Sequence, residues 1–120
     1  NIAKEINVIK NTLIDLKIDF ILFIESYKFS KDQEKEMMKN AFLEIDKCDL
    51  LIAEVSDKSI GVGIEIGYAK AKKIPVFYLR KKDAEHSTTA SGSAIYSIIY
   101  SSQTELRRKL KSYIKKVNKK

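Results

Sequence analysis

Short, nearly unbroken apolar runs alternate with stretches of helical periodicity along this chain, and that alternation narrows the possible folds more than any other feature. The runs cover residues 19–24, 49–54, 74–79 and 96–100. A strand with one wet face alternates polar and apolar residues, whereas a strand covered on both faces does not. Between the runs lie helical faces: Ile2, Ile6, Ile9, Leu13 and Leu16 at the start, then Met37, Met38, Ala41, Phe42 and Ile45, then residues 62–72, and finally Leu106, Leu110, Tyr113, Ile114 and Val117. Parallel strands need crossovers of this kind to bring the chain back to the same edge. The pattern predicts an α/β fold, a parallel sheet with helices on both faces. Ser30 and Gln33 have capping-box spacing, which predicts that the second helix opens there.

With 120 residues, 44% of them hydrophobic, residues 1–120 are expected to form one domain around one core. Cys48 is the only cysteine, which excludes a disulfide framework and a zinc set. It reads as a small buried hydrophobe, and a reducing, cytoplasmic compartment is the expectation. No apolar run approaches the roughly 20 residues of a membrane span, so no membrane partner is expected, and no secretory leader is visible. The net charge is +7, but residues 105–120 hold eight basic residues against one acid, which accounts for the whole surplus. That charge sits on the solvated side of an amphipathic terminal helix, so no specific nucleic-acid partner is expected.

The segment after the second run carries the chemistry. Ala53-Glu54-Val55 leads through a polar turn into Ser59-Ile60-Gly61-Val62-Gly63-Ile64-Glu65-Ile66-Gly67. Gly61 and Gly63 are expected to let the backbone approach a ligand before the helix begins. The first turn of a helix has amide N–H groups without intrahelical partners, and its dipole favours negative charge. Ser59 and the N–H groups of residues 60–63 therefore form a candidate anion cradle. Glu65, about one turn further in, is expected to stay ionised in that field with a low pKa, which suits a nucleophile better than an acid. The competing reading is a turn that only packs helix on sheet, with Glu65 a solvated acid, since neither the dinucleotide fingerprint nor the P-loop lysine is present.

This run resembles the nucleoside 2-deoxyribosyltransferase family and looks most like its 2'-deoxynucleoside 5'-phosphate N-hydrolase branch, in which a strand ending in Ala-Glu-Val precedes a Ser-x-Gly-Val-Gly-x-Glu-x-Gly turn. The resemblance implies a Rossmann-like, flavodoxin-like sheet, Glu65 as the nucleophile on the anomeric carbon and Ser59 on the 5'-phosphate. The transferase branch tends to have an acid at the Ser59 position, so serine points to a nucleotide. The implied reaction is hydrolysis of the N-glycosidic bond of (deoxy)nucleoside 5'-monophosphates, giving free base and 2-deoxyribose 5-phosphate. It implies no metal and no organic cofactor, and a homodimer or larger homo-oligomer in which a neighbour completes the site. A weaker match, Ser87-Thr88-Thr89-Ala90-Ser91-Gly92, implies that Ser87 reaches the phosphate of the neighbouring subunit; the competing reading is a solvated loop.

The chain departs from the family in two places. Ala41 stands where members usually have an aspartate, eight residues ahead of the position of Asp49, that serves as the second carboxylate. Glu54 and Asp57 are the nearest replacements, with Glu54 the candidate second catalytic group. The alternatives are a nucleoside deoxyribosyltransferase and a non-catalytic nucleotide-binding or sensor domain. The chain also opens on a helix where members open on a strand, so a first strand, central in the sheet, is expected to lie outside it. Tyr27 or Phe29 would stack on the base, or else pack on the domain itself. His86 reads as a solvated loop residue.

Overall fold

A computed structural model describes residues 3–17, 21–24, 31–57 and 59–118. Its elements are α1 (Ala3–Asp15), β1 (Ile21–Ile24), a 3-10 turn (Lys31–Gln33), α2 (Glu34–Lys47), β2 (Leu50–Glu54), α3 (Ile60–Ala71), β3 (Val76–Lys81), α4 (Thr88–Gly92), β4 (Tyr96–Tyr100) and α5 (Gln103–Asn118). All four apolar runs form strands, and they pair in parallel in the order β1-β2-β3-β4. The α/β expectation therefore holds.

Successive strand residues point to opposite faces, and both faces are covered. Leu51, Ala53, Val76 and Tyr78 pack with Ile45 of α2 and Val62, Ile66 and Ala69 of α3. Leu50, Ile52, Phe77, Leu79, Ile98 and Tyr100 pack with Ile9 of α1 and Leu106, Leu110 and Ile114 of α5. This explains why run 50–53 does not alternate: Leu51 and Ile52 are both fully buried, on opposite sides. Each such side chain contributes about 1.5–3 kcal/mol relative to exposure. Right-handed crossovers between strands that neighbour one another in one direction all fall on one face, which puts α2, α3 and α4 together. The first and last helices cover the other.

β1 and β2 are hydrogen-bonded neighbours from Ile21↔Leu50 to Ile24↔Ala53, so in this arrangement no further strand separates them. β3 begins at Val76, two residues later than the apolar run, because the end of α3 uses the intervening residues. Lys73 takes a left-handed φ of 63°, and the Ile74 N–H closes the helix on the Ala69 carbonyl at 2.9 Å. Pro75 has no N–H to offer the ladder. α2 proper begins at Glu34, after the 3-10 turn, and Gln33 at its N-cap makes no side-chain capping bond. Ser30, the other half of the expected capping box, lies outside the described residues, as do Asp19, Phe20, Glu25, Tyr27 and Phe29.

Cys48 is buried at the end of α2, and burial pushes its thiol up. α5 buries Leu106, Leu110 and Ile114 and turns its cations outward, as expected. Its Arg107 meets Asp15 of α1 at 2.7 Å, an exposed pair contributing at most about 1 kcal/mol. Among the described residues, no helix is long and apolar enough to cross a membrane, and no group of His, Cys, Asp and Glu has metal-binding geometry.

Candidate active site

Parallel strands joined by helices bring their carboxyl ends and the helix amino ends to one edge, where α/β sheets bind ligands. A cleft of about 450 Å³ opens there, lined by Val55, Ser59, Gly63, Gly67 and Ser87 among others. Ser59 is the N-cap of α3, extended at φ −143° and ψ 131°, and its Oγ accepts from the Val62 N–H at 3.3 Å. Ser87 is the N-cap of α4, and its Oγ accepts from the Ala90 N–H at 3.3 Å. A serine in this role uses a lone pair for the cap and keeps its proton for a ligand. Two such hydroxyls therefore open on one cleft, well suited to an anionic oxygen.

The stretch after Ser87 is thus not a solvated loop. It is a short capped helix whose Ala90 is buried, and Ser87 faces the same cleft as Ser59 of its own chain. Gly61 and Gly63 also differ from expectation, because they lie inside α3 rather than in a turn before it, and neither has a positive φ. Gly63 acts by leaving the cleft wall bare: a Cβ there would meet nothing within 4 Å. Gly63→Ala is accordingly expected to raise stability by about 0.5–1 kcal/mol through helix propensity while weakening ligand binding by filling the cleft. Thermal unfolding and ligand titration on the same protein check both halves; unchanged affinity would remove the cleft from consideration.

Glu65 lies on the inward side of α3 beside Val62, Ile66 and Ala69 and is 2% exposed. This excludes the reading of a solvated helix-start acid. It does not line the described wall of the cleft but sits on the same helix, six residues beyond Ser59.

Glu54 is also buried, at 1% exposure, but its carboxylate has a full set of donors. Oε1 accepts from the Ser56 N–H at 2.6 Å; Oε2 accepts from Ser56 Oγ at 3.0 Å and from the Tyr100 hydroxyl at 2.5 Å. Ser56 Oγ in turn accepts from the Lys81 N–H at 2.9 Å. Glu54 thereby ties together the ends of β2, β3 and β4. Burial pushes its carboxyl up against the opposing pull of the Tyr100 and Ser56 hydrogen bonds, and burial, then Glu54, pushes the Tyr100 phenol well up. Tyr100 belongs to the α1/α5 face, whereas Ser59 and Ser87 open on the α3/α4 side. Glu54 is thus turned to the α1/α5 face through Tyr100, whereas Glu65 belongs to a helix that covers the other face.

Ala41 is half-buried on α2, Asp57 is exposed and His86 is exposed. Tyr27 lies outside the described residues. The sequence reading missed Tyr78 and Arg80 of β3. The available signal was a tyrosine inside a run buried on both faces, whose hydroxyl needs a polar partner.

A profile described as nucleoside 2-deoxyribosyltransferase matches residues 6–114. Over 65 residues the chain is 48% identical to the "Putative 2'-deoxynucleoside 5'-phosphate N-hydrolase 1" of Syntrophotalea carbinolica, a match covering 52% of this chain and 46% of that protein. It is 41% identical over 64 residues to the protein of the same name from Methanosarcina mazei, covering 53% and 40%. The chain thus spans about half the length of these curated relatives. Its fold is similar to that of the Clostridium botulinum CMP N-glycosidase BcmB, with a TM-score of 0.67 at 24% identity, covering 92% of this chain and 88% of that one. Because the profile takes in nearly all of the chain, α1 through most of α5, this protein belongs to the nucleoside 2-deoxyribosyltransferase family.

Proposed function

We propose that this chain hydrolyses the N-glycosidic bond of deoxynucleoside 5'-monophosphates. The observation that carries the reading is the pair of capping serines, Ser59 and Ser87, whose hydroxyls open on one cleft at the carboxyl edge of the sheet. The family, and relatives named for this chemistry, support it. In this reading the two hydroxyls and the start of α3 hold the 5'-phosphate, each charge-assisted hydrogen bond contributing about 1.5–3 kcal/mol. The phosphate anchors the sugar so that C1' lies against Glu65.

The Glu65 carboxylate attacks C1', the C1'–N bond breaks, and its electron pair leaves with the base, which takes up a proton. Water then attacks C1', releasing Glu65 and 2-deoxyribose 5-phosphate and giving a proton to solvent. Glu54 serves the sheet rather than the reaction, because all its donors are structural. Tyr27 is assigned to the base. The same reading carries a homodimer in the cytoplasm, and sedimentation at several concentrations would read its mass.

One observation favours a second reading. Ala41 has no proton to exchange where family members usually carry the second carboxylate, which suits a domain that binds nucleotides without turnover. Incubation with the four deoxynucleoside monophosphates and the matching ribonucleotides, with chromatography of free base, separates the two. Base release is expected; its absence, with a nucleotide-dependent rise in melting temperature, selects the binding domain.

A further inference from the structure

Two side chains of β3 reach the segment that delivers Ser87 to the cleft. Tyr78 and Arg80 are two apart on the strand and so share a face, the one covered by α3 and α4. Tyr78 is fully buried among Val55, Val62, Ile66 and Ala90, and its hydroxyl accepts the Ser87 backbone N–H at 3.0 Å. Arg80 is 9% exposed, and its Nη1 donates to three carbonyls of the following turn: Lys81 at 3.0 Å, Lys82 at 3.1 Å and Ala84 at 2.7 Å.

A guanidinium folded onto three carbonyls within four residues fixes the path of a turn that has few ladder bonds of its own. The Tyr78 hydroxyl then pins the next link. A Ser87 N–H held in this way fixes the backbone from which the capping Oγ projects, and so fixes where its proton can be delivered. The Tyr78 ring packs in the apolar cluster with the His86 ring edge-on at 5.9 Å, contacts that a phenylalanine ring keeps, so Tyr78→Phe removes only the acceptor.

We propose that Tyr78 and Arg80 are positioning residues that set the second hydroxyl of the phosphate-binding cleft, and that Tyr78 thereby contributes to the preference for a 5'-phosphate over a 5'-hydroxyl. The inference rests on the nucleotide reading above. Neither residue touches the ligand; both act through Ser87.

The test uses the full chain and its Tyr78→Phe, Ser87→Ala and doubly substituted forms. Each is titrated calorimetrically with the four deoxynucleoside 5'-monophosphates and the four unphosphorylated deoxynucleosides, and exchange of the Ser87 amide is followed by NMR. Tyr78→Phe is expected to weaken monophosphate binding three- to tenfold, to leave the deoxynucleosides unmoved and to speed Ser87 amide exchange. Added to Ser87→Ala it should cost nothing further, because the route runs through that hydroxyl. Monophosphate binding that survives Tyr78→Phe, equal losses for both ligand sets, or an additive double substitution overturns the positioning role while the nucleotide reading stands. If the unsubstituted protein binds none of the monophosphates, the nucleotide reading falls and takes this inference with it.

Discussion

Glu65→Gln is expected to cut base release from deoxynucleoside monophosphates by at least about 10³-fold, the scale on which loss of a nucleophile acts, while the protein stays folded and still binds the nucleotide. The physical reason is that glutamine keeps the shape and the buried position but cannot attack C1'. Glu65→Ala should abolish release equally; it also leaves a hole on the inward side of α3, where Glu65 is 2% exposed, so the amide is the cleaner control. Single-turnover chromatography of free base, alongside circular dichroism, reads the outcome. Base release near the original rate would remove Glu65 from the reaction. Binding lost together with release would instead make it part of the ligand site alone.

The second large effect is on stability. Glu54→Ala is expected to destabilise the fold by about 2–4 kcal/mol, because the Tyr100 hydroxyl and the Ser56 N–H both lose their acceptor and an unsatisfied buried group costs about 1–3 kcal/mol. A melting temperature lower by on the order of 10 °C follows for a domain of this size. The pH dependence follows from the direction of the shift. Burial holds the Glu54 carboxyl above its ordinary value of 4.5 in the fold, against the hydrogen bonds from Tyr100 and Ser56. The folded state therefore favours the neutral acid. That stabilisation is fully present below the unfolded value and is lost as pH rises through the folded one. Urea unfolding from pH 4.5 upward should show the native protein losing stability relative to Glu54→Gln, which does not titrate. The Tyr100 phenol, also raised by burial from 10.0, gives the same sign in the alkaline range. A flat difference across the acid range would contradict the buried network. A large loss of base release in Glu54→Gln, with stability kept, would return Glu54 to the catalytic machinery.

Much of the fold was legible because burial on both faces leaves a mark in one dimension. Runs such as 50–54 and 96–100 need no partner strand to be recognised, and their alternation with helical spacing leaves a parallel sheet as the consistent solution. Boundaries were less legible. The start of β3 depends on how α3 ends, and residue 73 in the left-handed region followed by Pro75 is a three-dimensional stop that apolarity does not announce. Ser59 and Ser87 were readable as candidate phosphate contacts, but the capping role of Ser87 was not, since no helix was expected after it. That they share one cleft was not readable either, because residues 28 apart in the chain are brought together only by packing of α4 beside α3.

By itself the sequence determined the class of fold, the strand positions and the family motif around Ser59 and Glu65, because hydrophobic period, capping chemistry and motif spacing are properties of neighbours along the chain. Only the tertiary structure decided to which face of the sheet each acid belongs. Glu54 and Glu65 are eleven residues apart and both buried, yet the pleat of β2 sends Glu54 to Tyr100 beneath α1 and α5, whereas Glu65 sits on a helix that covers the other face. The side of a sheet to which a terminal strand residue points depends on register and on which helix covers it, and both are set by contacts distant in sequence.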